Sequence, residues 1–85
     1  MNNNEIITRR VLLSTQNDVK NFCHNMENFP RNVSIKVIHN NHERDAKSIL
    51  GLLSLNLSEP VDVIFSSTDL IDTTKIDNAI SKWEV

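Results

Sequence analysis

Apolar residues recur along this chain at two spacings, every second residue in some stretches and every third or fourth in others. Between Glu5 and Leu13 the residues Ile6, Ile7, Val11, Leu12 and Leu13 describe a first strand, with Arg9-Arg10 as the point where it would break. From Asn17 to Asn28, Val19, Phe22, Cys23 and Met26 stand at i, i+3, i+4 and i+7, the stripe of an amphipathic helix capped by Ser14, Thr15 or Asn17. Phe29 extends the stripe and Pro30 stops it. Val33, Ile35 and Val37 alternate with Ser34 and Lys36, as in a strand with one wet face. The polar run His39-Asn40-Asn41-His42 turns the chain, in a loop broader than a minimal hairpin, into a short third strand around Glu43 to Ala46. A helix opens at Ser48. Ser58-Glu59-Pro60 then introduces a fourth strand marked by Val61, Val63 and Phe65, and Ile76, Ala79, Ile80 and Trp83 repeat at helical spacing behind Asp72 and Thr73.

The resulting order, β-α-β-β-α-β-α, predicts an α+β fold: a four-stranded, mainly antiparallel sheet with three helices on one face. Strands that alternate apolar and polar residues need only one covered face, whereas buried parallel strands read as continuous apolar runs. Residues 1–85 form a single domain, with the Asn-rich residues 1–4 expected to be a flexible end. The apolar stripes place Val19, Phe22, Met26, Val33, Ile35, Leu52, Leu55, Val63, Phe65, Ile76 and Ile80 in the core.

The segment from Ala46 to Leu57, AKSILGLLSLNL, is apolar on more sides than one core can bury. With Ser48 as N-cap, its hydroxyl accepts a backbone N–H two or three residues on. At 100° per residue, Leu52 and Leu55 then project to one side, and Ile49, Leu50 and Leu53 spread over much of the other. The second set should remain as an exposed apolar patch beside a serine placed where the helix dipole favours negative charge.

The run Lys47-Ser48-Ile49-Leu50-Gly51-Leu52-Leu53-Ser54-Leu55 resembles the regulatory-serine helix of the HPr family, small phosphocarriers of the bacterial sugar phosphotransferase system, and of its relative Crh. The resemblance spans residues 11 to 83, with Asn56 where the family usually has glycine, a residue suited to a left-handed helix end. It implies the open-faced β-sandwich of that family, regulatory phosphorylation at Ser48, and partner contacts through Lys47, Ile49, Leu50 and Leu53. The partners it implies are proteins, a serine kinase and a transcriptional regulator of the LacI type. The family's phosphocarrier motif, His-x-Arg-Pro at the start of the first helix, is missing. Thr15, Gln16, Asn17 and Asp18 stand in its place in an ungapped match, and a threonine hydroxyl without an adjacent base is a poor nucleophile. The carrier activity should therefore be absent, as it is in Crh, and the chain should not be an enzyme. Loss of the arginine also removes a positive charge that the family's usual partners contact.

Composition narrows the remaining classes. Net charge is −2 with mixed signs, so neither nucleic acid nor an anionic membrane is an expected partner. No apolar signal region follows Met1-Asn2-Asn3-Asn4, and the apolar runs are short, which points to the cytoplasm. The single cysteine, Cys23, reads as a small core residue, and its neighbour His24 as a surface one, since adjacent helical residues point about 100° apart. His39 and His42 lack a clear third ligand and read as members of a solvated turn, so no metal or other cofactor is expected. Two alternatives stay open: a phosphocarrier with its phosphohistidine moved to His24, His39 or His42, and a divergent paralogue that binds an unrelated partner.

Overall fold

The computed structural model describes residues 5–85. The flexible end expected at residues 1–4 lies outside them. Strand β1 (Glu5–Val11) is followed by helix α1 (Gln16–Met26), strands β2 (Ser34–His39) and β3 (His42–Asp45), helix α2 (Ile49–Leu53), strand β4 (Val61–Ser67) and helix α3 (Thr73–Ile80). The strands form one antiparallel sheet in the order β1-β4-β2-β3, so β4 is inserted between the first two strands of the chain. This is the expected open-faced α+β sandwich.

Alternation decides which side of the sheet is covered. Val61, Val63, Phe65 and Ser67 of β4 are buried, as are Ile35, Val37 and His39 of β2, and the residues between them are more exposed. Onto the buried side pack Val19, Phe22, Cys23 and Met26 of α1, Leu52 of α2 and Ile76 and Ile80 of α3. All eleven residues placed in the core by their spacing are buried, Leu55 the most exposed of them at 9%. The other side is open and carries Ile6, Thr8, Arg10, Lys36, Ile38, Asp62 and Ile64.

Four local expectations are corrected. Strand β1 is not interrupted at Arg9-Arg10: its register with β4 runs one to one from Glu5 to Val11. Each arginine finds a partner without leaving the strand, Arg9 Nε lying 3.0 Å from Asp77 Oδ1 on α3 and Arg10 Nε 3.2 Å from Asp62 Oδ1 on β4. The β2–β3 loop is the minimal hairpin after all. His39 pairs directly with His42, and Asn40 and Asn41 alone turn the chain at φ 47° and 69°. A type I′ turn requires positive φ at both central positions, which asparagine tolerates better than other non-glycine residues.

The closing helix stops at Ile80, so Trp83 sits in the turn beyond it, where its backbone carbonyl accepts the Leu12 N–H at 2.8 Å. From the sequence, Trp83 reads as a core cover for the last helix with its indole edge in water, and that edge is not exposed. The residue is 7% accessible, and its indole Nε1–H donates to Asp18 Oδ1 at 3.2 Å. Finally, α2 does not end on a left-handed Asn56. Short-range bonds close it instead, Ser54 N–H to Gly51 O and Leu55 N–H to Leu52 O, while Asn56 Oδ1 accepts from both Ser58 N–H and Ser58 Oγ–H.

Candidate functional site

Helix α2 is only one and a half turns long, so its own hydrogen bonds do little to hold it and its anchors decide its position. Asp45, at the end of β3, accepts the Lys47 N–H on its side chain and the Ser48 N–H on its carbonyl. Ser48 then caps the helix as expected, with Oγ accepting the Gly51 N–H at 3.3 Å and its carbonyl accepting the Leu52 N–H. Leu52, fully buried, fixes which side faces the core.

That orientation leaves Leu50 79% exposed, with Ile49 at 37% and Leu53 at 39%. The three positions fall within five consecutive residues, just over one turn, and make an apolar strip next to Ser48. Lys47, half-buried, precedes it. The helix has no acidic residue in its first turn; the nearest carboxylate is that of Asp45, held on the Lys47 N–H just before the cap.

Two residues that the sequence reading did not single out complete this face. Arg44 points to the covered side of β3, where its Nε donates to Ser54 Oγ at 3.1 Å, and Ser54 Oγ–H in turn donates to Gly51 O at 2.6 Å. Gly51 is held between Ser48 and Arg44. A Cβ on it would meet Ser48 Oγ at 3.1 Å and Arg44 Cδ at 3.5 Å, so glycine lets the capping bond and the arginine crowd the same turn. The parity of β3 carried the signal for Arg44: with Ala46 turned inward, the residue two before it must turn inward as well.

The residues standing in place of the phosphocarrier motif form a helix start of another kind. Thr15 Oγ1 accepts the Asp18 N–H at 3.0 Å, and Asp18 Oδ2 accepts the Thr15 N–H at 3.3 Å, a capping box. Asp18 spends its other oxygen on the Trp83 indole. Gln16 and Asn17 face solvent. A carboxylate thus occupies the positive end of α1. Replacing Thr15 with alanine should cost about 1 kcal/mol of stability, the usual worth of such a cap, measured by urea denaturation.

The three histidines are dispersed. His24 is exposed in the last turn of α1, the opposite end from Thr15. His42 is exposed on β3, but His39 is not part of a solvated turn: it is 8% accessible on the covered side of β2, with Nε2 3.5 Å from Glu59 Oε1. The parity of β2 turns it inward along with Val37. Among the described residues, no three His, Cys, Asp or Glu side chains converge in a geometry that could hold a metal ion. Cys23 is buried, and burial first, then the charges of Glu27 and Asp45, pushes its thiol pKa up, which favours the protonated form. Among the described residues, no helix is long and apolar enough to cross a membrane.

Compared with known proteins, the sequence matches no family model and no curated protein.

Proposed function

We propose that this chain is a regulatory binding module of the HPr type, without phosphocarrier activity, that engages a protein partner through Ser48 and the strip Ile49, Leu50 and Leu53. The observation that carries this reading is the exposure of three large apolar residues on a helix that is anchored to the core by the fully buried Leu52. Fold stability gains nothing from a leucine left 79% exposed, whereas an interface gains an anchor that buries on contact. The cleft at the end of the same helix, bounded by His39, His42, Arg44 and Leu55, has a volume of about 270 Å³. That is below the roughly 300–1,000 Å³ of drug-sized ligand sites and suits a side chain of a partner better than a free small molecule.

Ser48 supplies the control. Phosphorylation by a serine kinase would add roughly −1.5 to −2 charges beside Lys47 and Arg44, at a helix start that favours an anion. The fold tolerates the group, and the surface that a partner meets changes sign. A transcriptional regulator with a basic side chain set against the phosphate fits that chemistry. Such a protein works in the cytoplasm, contacts neither nucleic acid nor membrane itself, and catalyses no reaction.

Affinity capture from cell lysate tests the proposal, with native protein, Ser48→Ala and phosphorylated Ser48 as baits. A protein retained by native or phosphorylated bait and altered by Ser48→Ala supports it; identical capture by all three baits contradicts it. Incubation with phosphoenolpyruvate and the general phosphotransferase enzyme should leave no acid-labile phosphate on the chain, because no imidazole stands at the start of α1. Stoichiometric acid-labile phosphate on His24, His39 or His42 would favour the relocated-carrier reading.

A further inference from the structure

The two edges of the sheet are unlike. Strand β3 is four residues long and reads His-Glu-Arg-Asp, a short and polar edge of the kind that discourages pairing. Strand β1 is seven residues long and centres on Ile6-Ile7-Thr8. Its far end is already taken: Leu12 N–H donates to Trp83 O and Val85 N–H donates to Arg10 O, so residues 83–85 run along the outer side of residues 10–12.

These two bonds also settle which backbone groups of β1 face outward. Alternate residues of a regular strand present their N–H and C=O to the same side. Arg10 and Leu12 point away from β4, and the unbroken register back to Glu5 therefore turns Thr8 and Ile6 outward too. Of these groups, Thr8 O meets, among the described residues, only the half-buried guanidinium of its neighbour, Arg9 Nη1, at 3.1 Å. Among the described residues, the stretch of edge with no neighbouring strand ends at Arg9, where Val85 begins.

The geometry points to a second copy of this chain as the occupant, its β1 antiparallel to the first about a two-fold axis through Ile7, so that the two sheets become one. Both copies must keep their covered faces on the same side, which restricts opposing residues to equal parity and places the axis at a single residue. At Ile7, Ile6 of one copy and Thr8 of the other are the hydrogen-bonded pairs, using just the groups that face outward. The two Ile7 side chains meet across the axis, and Glu5 stands opposite Arg9 in both halves. Centring on Thr8 would instead require Arg10 O, which Val85 holds. Centring on Ile6 would separate Glu5 from Arg9 and set it against Ile7. The strand is thus self-complementary in hydrogen bonding, in apolar contact and in charge at one register only. Arg9 keeps its Nε on Asp77, with Glu84 Oε2 at 3.8 Å, and its Nη1 leaves Thr8 O for the partner carboxylate as Thr8 O pairs with the partner strand.

Sedimentation of the full chain over a range of concentrations, with Thr8→Pro and Ile7→Cys variants, tests this. The native chain should show a monomer–dimer equilibrium. Thr8→Pro removes an outward N–H that β4 does not use, so it should raise the dimer dissociation constant about tenfold or more and leave the far-ultraviolet circular dichroism of the monomer intact. Ile7→Cys should form a disulfide-linked dimer under mild oxidation, since opposed residues of a non-hydrogen-bonded pair have Cα atoms about 4.5 Å apart; a Thr8→Cys control should link far less. Disulfide formation keeps the register testable should the proline variant fail to fold. A chain that stays monomeric at all concentrations overturns the inference. So does a dimer that Thr8→Pro leaves unchanged, or one that links through position 8 as readily as through position 7.

Discussion

Replacing Phe22 with alanine should remove about 3 to 5 kcal/mol of stability, among the largest losses expected from a single substitution in this domain. Phe22 is fully buried on the inner face of α1, with its ring centroid 5.9 Å from that of Trp83 in an edge-on arrangement of 76°. Trp83 ties α1 to the turn after α3 and, through its carbonyl, to the residue that follows β1. Removing the phenyl ring therefore opens a cavity where several elements converge. Against a total stability of roughly 5 to 15 kcal/mol for a small domain, the loss would bring the protein close to unfolding. Trp83 is the only tryptophan in the chain, so its fluorescence reports directly on this contact during urea denaturation. A loss below about 1 kcal/mol would mean that Phe22 is not packed as described.

Most of the architecture could be read from spacing because each strand and helix needed only one buried face. Val61, Val63 and Phe65 at every second position, and Val19, Phe22, Cys23 and Met26 at helical spacing, leave little choice about what is covered. The misreadings fall where a residue's fate depends on something distant in sequence. Arg9 stays in a continuous strand because Asp77, on the last helix, meets its charge. His39 is buried because a two-residue turn lets β2 run one residue further than a broad loop would. Trp83 keeps the helical spacing of Ile76 and Ile80 without being in the helix, since a turn that continues αR at Ser81 preserves the direction of its side chain.

The site was legible to a similar degree. Ser48 as cap, Leu52 and Leu55 inside, and Ile49, Leu50 and Leu53 outside all followed from counting angles around one helix. Arg44 and Gly51 did not, because their place at the site depends on the packing of α2 against β3. The capping box of Thr15 and Asp18 is half visible in the sequence: Thr15 is one of three candidate caps, and nothing in the spacing singles out the reciprocal bond from Thr15 N–H to the Asp18 carboxylate.

The most direct measurement of the central proposal is the affinity of the captured partner for native protein and for Leu50→Glu, taken alongside circular dichroism and thermal unfolding of both. Leu50 is 79% exposed, so a carboxylate there meets water and the unbound fold should change in stability by no more than about 0.5 kcal/mol. In the complex the same carboxylate would be buried against an apolar pocket without a counter-charge, at a cost of about 2 kcal/mol or more, which is at least a roughly 30-fold loss of affinity. The account predicts that loss together with an unaltered spectrum and melting temperature. Undiminished binding by a folded Leu50→Glu protein, or a variant that fails to fold, would contradict it.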